Sequence, residues 1–159
     1  MFWRTYGSVI GWMFVVGIVA AGLFLFIVFA WLLPPDRGEE SAIVLMPFYG
    51  GFFGAITAAV ASLFYSVALG SWIRPPGRSV APRAAIGAGA AGTGALVFWL
   101  VFGYSLSGVD GLPVWGGIGA ASAVLAVVVA APLTVRASRR AVISMPPASG
   151  AEPASQRLT

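Results

Sequence analysis

The chain has no cysteine and no histidine, and its 159 residues include no lysine and no asparagine. Each absence removes a chemistry. Without thiols there is no disulfide, no thiolate nucleophile and no thiolate metal site. Without imidazole or a lysine amine, imidazole acid–base chemistry and Schiff-base chemistry are gone. Without asparagine there is no N-glycosylation acceptor. Charge is scarce too: 9% of residues are charged, against about 25% in an ordinary soluble domain. The nine basic residues, all Arg, outnumber five acidic ones for a net charge of +4. That excess excludes no membrane role and does not point to nucleic acid, because the Arg sit at the ends of apolar segments rather than in a patch on a polar face.

What the chain does have is four uncharged apolar stretches: Gly7–Leu33, Ala42–Ile73, Ala84–Val109 and Gly111–Val135. Each exceeds the ~20 residues a helix needs to cross a ~30 Å hydrocarbon layer. The expected fold is therefore all-α, a polytopic membrane protein with a four-transmembrane-helix bundle. The helices are expected at about 7–33, 42–73, 84–106 and 112–138 within a single domain, 1–140. Residues 141–159, rich in Pro, Ala and Ser, have no apolar periodicity and are expected to form a disordered cytoplasmic tail. The first run is too long, and its end at Trp31-Leu32-Leu33-Pro34-Pro35 too bulky, for a cleaved signal peptide. It reads as an uncleaved spanning helix.

Arg placement sets the expected orientation. Arg4, Arg74, Arg78, Arg83, Arg136, Arg139, Arg140 and Arg157 fall on one side, and Arg37 alone falls on the other, with Asp36, Glu39, Glu40 and Asp110. The positive-inside rule then puts both termini in the cytoplasm. The all-Arg basic set and the dominance of Ala, Gly and Val look like a GC-rich bacterial genome, which makes the plasma (inner) membrane the expected location. Trp3, Tyr6, Trp31, Trp72, Tyr104 and Trp115 lie near segment ends, as headgroup-level aromatics do, while Trp12 and Trp99 lie deeper.

Two short motifs resemble each other. Pro47-Phe48-Tyr49-Gly50-Gly51 opens the second stretch and Pro113-Val114-Trp115-Gly116-Gly117 opens the fourth, with Gly54-Ala55 matching Gly119-Ala120 after one gap. A duplicated pair of tandem helical hairpins would produce this, as would chance in a Gly- and Ala-rich chain; the first and third helices do not align. Pro is expected near the helix start in both motifs, where the first turn has no intrahelical N–H bond to lose.

Membrane helices associate where small residues let backbones meet. Gly50, Gly51, Gly54, Gly87, Gly92, Gly116, Gly117 and Gly119 are the candidate packing residues. Helices two and four are expected to be narrow at the outer face, with Phe98 and Phe102 of helix three filling the space beside them. The first helix, rich in Phe, Val, Ile and Leu, is expected to face mostly lipid or a partner. Substituting Gly51 or Gly117 with Leu is expected to disrupt folding or assembly.

Other patterns have plainer readings. Gly87-Ala88-Gly89-Ala90-Ala91-Gly92 matches GxGxxG, but it lies inside an apolar span with no preceding strand, so packing explains it. Gly103–Gly108 has the wrong spacing for a nucleophile elbow and no base to activate it. Asp36, Glu39 and Glu40 could hold a divalent cation, but a topology-setting acidic loop accounts for them, and no metal and no cofactor is expected. Thr57, Ser62, Tyr65, Ser66, Thr93 and Ser122 are the hydroxyls expected within the membrane, where bonding to the preceding turn or across helices outweighs a substrate path.

Three functional readings follow. The first is a non-enzymatic accessory or assembly subunit, self-associating as a homo-oligomer or packing in a larger membrane-protein complex. The second is a small oligomeric transporter or channel, although the lack of ionisable groups in the spans argues against proton coupling. The third is a lipid or lipid-intermediate binding protein in which Arg74, Arg78, Arg136, Arg139 and Arg140 hold a headgroup. The expected partners are membrane lipids and protein, not nucleic acid.

Overall fold

A computed structural model describes residues 2–32, 40–71 and 80–143. It is all-helical over those residues: α1 Phe2–Ile27 runs into a π-helical turn, Val28–Leu32, followed by α2 Glu40–Ser71, α3 Val80–Ser107 and α4 Leu112–Ile143. All four helices are long and apolar enough to cross a membrane, with mean hydropathies of 1.8 to 2.8 over their best windows. Pro34-Pro35, Arg74, Arg78 and the segment 144–159 lie outside the described residues.

Each helix packs antiparallel on its chain neighbours, and α1 and α4 close the ring. The N-terminal ends of α1 and α3 therefore meet the C-terminal ends of α2 and α4 at what we term the termini end. The α3–α4 turn marks the opposite, turn end. There Gly108 takes a left-handed φ of 62°, which glycine adopts without steric penalty. Its N–H donates to the Tyr104 carbonyl at 3.0 Å, and the Leu112 N–H donates to the Val109 carbonyl at 3.2 Å, so the turn uses the orphan groups of the two helix ends.

Several bounds differ from the sequence reading. α3 starts at Val80 and takes in Pro82 and Arg83, because Pro in a first turn loses no intrahelical bond. α4 runs on to Ile143, and Arg136, Arg139 and Arg140 fall in its last turns, where positive charge suits the helix C-terminus. Pro47 is not at a helix start: it lies inside α2, about two turns past Glu40, and so removes one ladder bond. Pro113, by contrast, is in the first turn of α4. The two matching motifs thus occupy different helical registers.

The termini half has a dense core centred on Tyr65 of α2, which is fully buried. Thr134 of α4 donates its hydroxyl proton to the Ala130 carbonyl at 2.6 Å, so the 2.8 Å contact between Tyr65 and Thr134 has the Tyr65 hydroxyl as donor. Tyr6 of α1 stands edge-on to the Tyr65 ring with centroids 6.3 Å apart, and its own hydroxyl lies 3.3 Å from Ser138 Oγ. From α3, Gly87 lets the Tyr65 ring approach: a Cβ there would lie 2.8 Å from Tyr65 Cε2. All four helices therefore converge on one ring. Val9, Met13, Ala61, Ala88, Ala91 and Ala130 pack around it.

Candidate functional site

The turn-end half is built differently. A cavity of about 620 Å³ lies among all four helices there. On α1 its lining runs from Met13 to Leu25, and on α4 from Trp115 to Val129; at 1.5 Å per residue these runs span about 18–21 Å. The floor is the layer of Met13, Ala61, Ala95 and Val129, with the Tyr65 core directly beyond it. One wall is aromatic. Trp99 of α3 stacks on Trp115 of α4 at 5.7 Å and 12°, and Phe102 meets Trp115 edge-on at 5.4 Å. Phe53 of α2 reaches Phe102 at 5.3 Å and completes the wall.

The opposite side of the cavity is the seam between α1 and α4. At the termini end this seam is closed by Tyr6, Val9, Met13, Ala130 and Ser138. Beyond Met13, no hydrogen bond or ring contact joins α1 to α4 among the described residues. Phe24 of α1, Leu106 of α3 and Leu125 of α4 line the cavity and are also exposed, at 57%, 62% and 37%, so it opens along the α1–α4 seam and toward the turn end.

Polar groups in the lining are few. Thr57 donates to the Phe53 carbonyl of its own helix at 2.8 Å, and its proton is used there. Ser122 is the other hydroxyl in the wall. The Trp115 indole donates to Ser107 Oγ at 3.2 Å, whereas the buried Trp99 indole N–H has no partner among the described residues, nor has Ser62 Oγ. No ionisable side chain lines the cavity. It offers apolar and aromatic surface and no acid–base group.

The glycines sort sharply by environment. A Cβ on Gly50 or Gly54 would overlap the backbone of α1 at Ala21 and Gly17 respectively. The narrow face of α2 is therefore filled by the backbone of α1, through Gly17 and Gly22, and not by Phe98 and Phe102 as expected. Sequence reasoning missed Gly17 and Gly22 because the first helix as a whole is rich in Phe, Val, Ile and Leu and was expected to face mostly lipid or a partner. α1 still turns large residues such as Trp12, Leu23 and Phe24 outward. Gly92 sits 2.9 Å from Val127 and 3.2 Å from the Ala123 carbonyl of α4, measured from a built Cβ, and Gly119 lies 3.1 Å from Leu96 and Trp99. Gly103, which was not among the candidate packing residues, has no room for a Cβ beside Trp115.

Three candidates differ from expectation. Gly51 has only ordinary contact with Ile18, at 3.4 Å. Gly116 has one distant neighbour, Leu100 at 3.7 Å, and Gly117 has nothing within 4 Å. Gly116 and Gly117 have no neighbouring backbone within reach, whereas Gly51 faces α1 with room to spare, a Cβ there lying 3.9 Å from the Ile18 carbonyl oxygen. Phe102 does bridge α2 and α4, with Phe98 stacked on it at 5.8 Å. The described headgroup candidates, Arg136, Arg139 and Arg140, are exposed on α4 at the termini end. They lie at the end of the bundle away from the cavity, so the structure does not bring them to it.

Fold and site together define a class: an all-helical bundle with four helices of membrane-crossing length and an apolar cavity in one half. No family model, curated protein or solved structure matches the chain.

Proposed function

We propose that this protein is a multi-pass bacterial inner-membrane protein, with both termini in the cytoplasm, that binds a membrane lipid and performs no catalysis. The observation that carries the reading is the cavity. Its volume falls within the ~300–1,000 Å³ of ligand pockets. Wherever nothing fills it, its wall atoms lose dispersion contacts. A void of that size beside hydrocarbon is filled, and its lining accepts an apolar filling. The orientation rests on the eight-to-one Arg asymmetry across the predicted topology. The accessory-subunit reading keeps the non-catalytic part of this proposal. The transporter reading lacks support in the lining, which has no ionisable group and one hydroxyl not engaged by its own helix.

Native mass spectrometry of the protein extracted in mild detergent tests the reading. A lipid retained at about one per protomer is expected. A lipid-free protomer, or one bound in fixed ratio to another protein without lipid, would contradict it. A periplasmic reporter fused after Leu33 should be active and one fused after Pro76 inactive; the reverse would overturn the orientation.

A further inference from the structure

We infer that the cavity takes a single acyl chain of a phospholipid from the leaflet at the turn end, entering sideways between α1 and α4; this rests on the lipid-binding reading above. Four observations converge on this occupant. The cavity is about 18–21 Å long, somewhat more than the ~15 Å that one leaflet contributes to a ~30 Å hydrocarbon core, so a chain from one leaflet fits within it. Its long axis follows the helices, as an acyl chain in a bilayer does. Its side opening is the α1–α4 seam, where Phe24 and Leu125 are both exposed and lining, and it continues to the turn end at the exposed Leu106, on the headgroup side of the same leaflet. Its blind end is the Met13 layer, backed by the fully buried Tyr65. A chain slides in from the side without disturbing the Tyr6, Tyr65, Thr134 and Ser138 contacts that hold the bundle at the termini end.

The lining gives the selectivity. No ionisable group faces the cavity, so the headgroup stays outside in the interfacial layer and only the chain is recognised. The Arg residues on α4 lie at the opposite end and take no part. The gain over leaving the chain in the bilayer is contact with the Phe53, Trp99, Phe102 and Trp115 wall, since hydrocarbon is as apolar as the pocket and transfer alone contributes nothing. The floor limits the chain length, and Ala121, at the mouth side of α4, controls entry.

Native mass spectrometry after exchange into mixed phospholipids of defined chain length tests this with four variants. Ala121→Phe should abolish the retained lipid while its melting temperature stays at or above that of the wild type. Gly117→Leu, on the outer face of the same helix, should retain lipid as the wild type does. Val129→Phe should shift the retained chains toward shorter ones. Arg136→Gln with Arg139→Gln should leave retention unchanged. If the wild type retains lipid and Ala121→Phe retains it equally, or if retention follows headgroup charge and not chain length, the single-chain assignment is overturned while lipid binding stands. If the wild type retains no lipid, the broader reading falls with it. A retained isoprenoid or a protein seated in the cavity also overturns the assignment.

Discussion

The two halves of the bundle use small residues to opposite ends. In the termini half, Gly87 and a set of alanines bring four backbones close around one large ring, and Tyr65 fills the space they leave. In the turn-end half, Gly50 and Gly54 draw α2 onto α1, and Gly92 and Gly119 draw α3 onto α4. Among the described residues of that half, the ring contacts that cross from one pair to the other are those of Phe53 with Trp99 and Phe102, on one side. Close packing within each hairpin leaves a void between hairpins. Small residues close a bundle only where something large is placed at the centre.

Variants that break each half should differ in size of effect. The largest is expected for Gly54→Val, whose side chain would overlap the Gly17 carbonyl. Overpacking against a backbone has no cheap relief, and a loss of about 3 kcal/mol is predicted, read as a large fall in melting temperature in detergent. Tyr65→Phe removes the bond to Thr134 but keeps the ring. It should lower stability by about 1 kcal/mol, and pairing it with Thr134→Val in a double-mutant cycle should give less than the sum of the two single effects, because both remove one bond. Ser122→Leu, which adds apolar volume to the cavity wall, should instead raise the stability of the delipidated protein by about 1 kcal/mol. Gly117→Leu has open space to occupy and should move stability by no more than about 0.5 kcal/mol. A large loss for Gly117→Leu, or none for Gly54→Val, would erase the distinction between packed and open faces.

Much of the fold was legible in the residues, and the reason is physical. An apolar run of over 20 residues in a chain this poor in charge has few structures open to it, and the runs mark four helices with short connections. The bounds were less legible. The fourth helix, expected to reach residue 138 and so to include Arg136, runs on through Arg139 and Arg140 to Ile143, because a helix continues past the hydrocarbon edge. The packing was legible only in composition. Gly50, Gly54, Gly92 and Gly119 do meet neighbouring backbone or side chains, while Gly116 and Gly117 do not, and nothing local separates the two sets. Which face of a helix meets its neighbour depends on how the whole bundle is rotated, and the low amphipathicity of an all-apolar helix leaves that rotation unmarked. The cavity was not legible at all. Its lining residues are the same Ala, Gly, Leu and Phe that elsewhere form a filled core. Thr134 was also passed over, though this hydroxyl, two residues before the first Arg of α4, faces the centre and accepts from Tyr65.

The contrast between a closed and a hollow half is tested most directly by tryptophan quenching. A variant keeping only Trp99, with Trp3, Trp12, Trp31, Trp72 and Trp115 replaced by Phe, would be placed in vesicles of phospholipids brominated along the acyl chain. Trp99 lies on the cavity wall between helices, so its fluorescence should be strongly quenched, and Ala121→Phe in the same background should remove most of that quenching. Weak quenching of Trp99, or quenching that Ala121→Phe leaves unchanged, would contradict a chain-filled cavity.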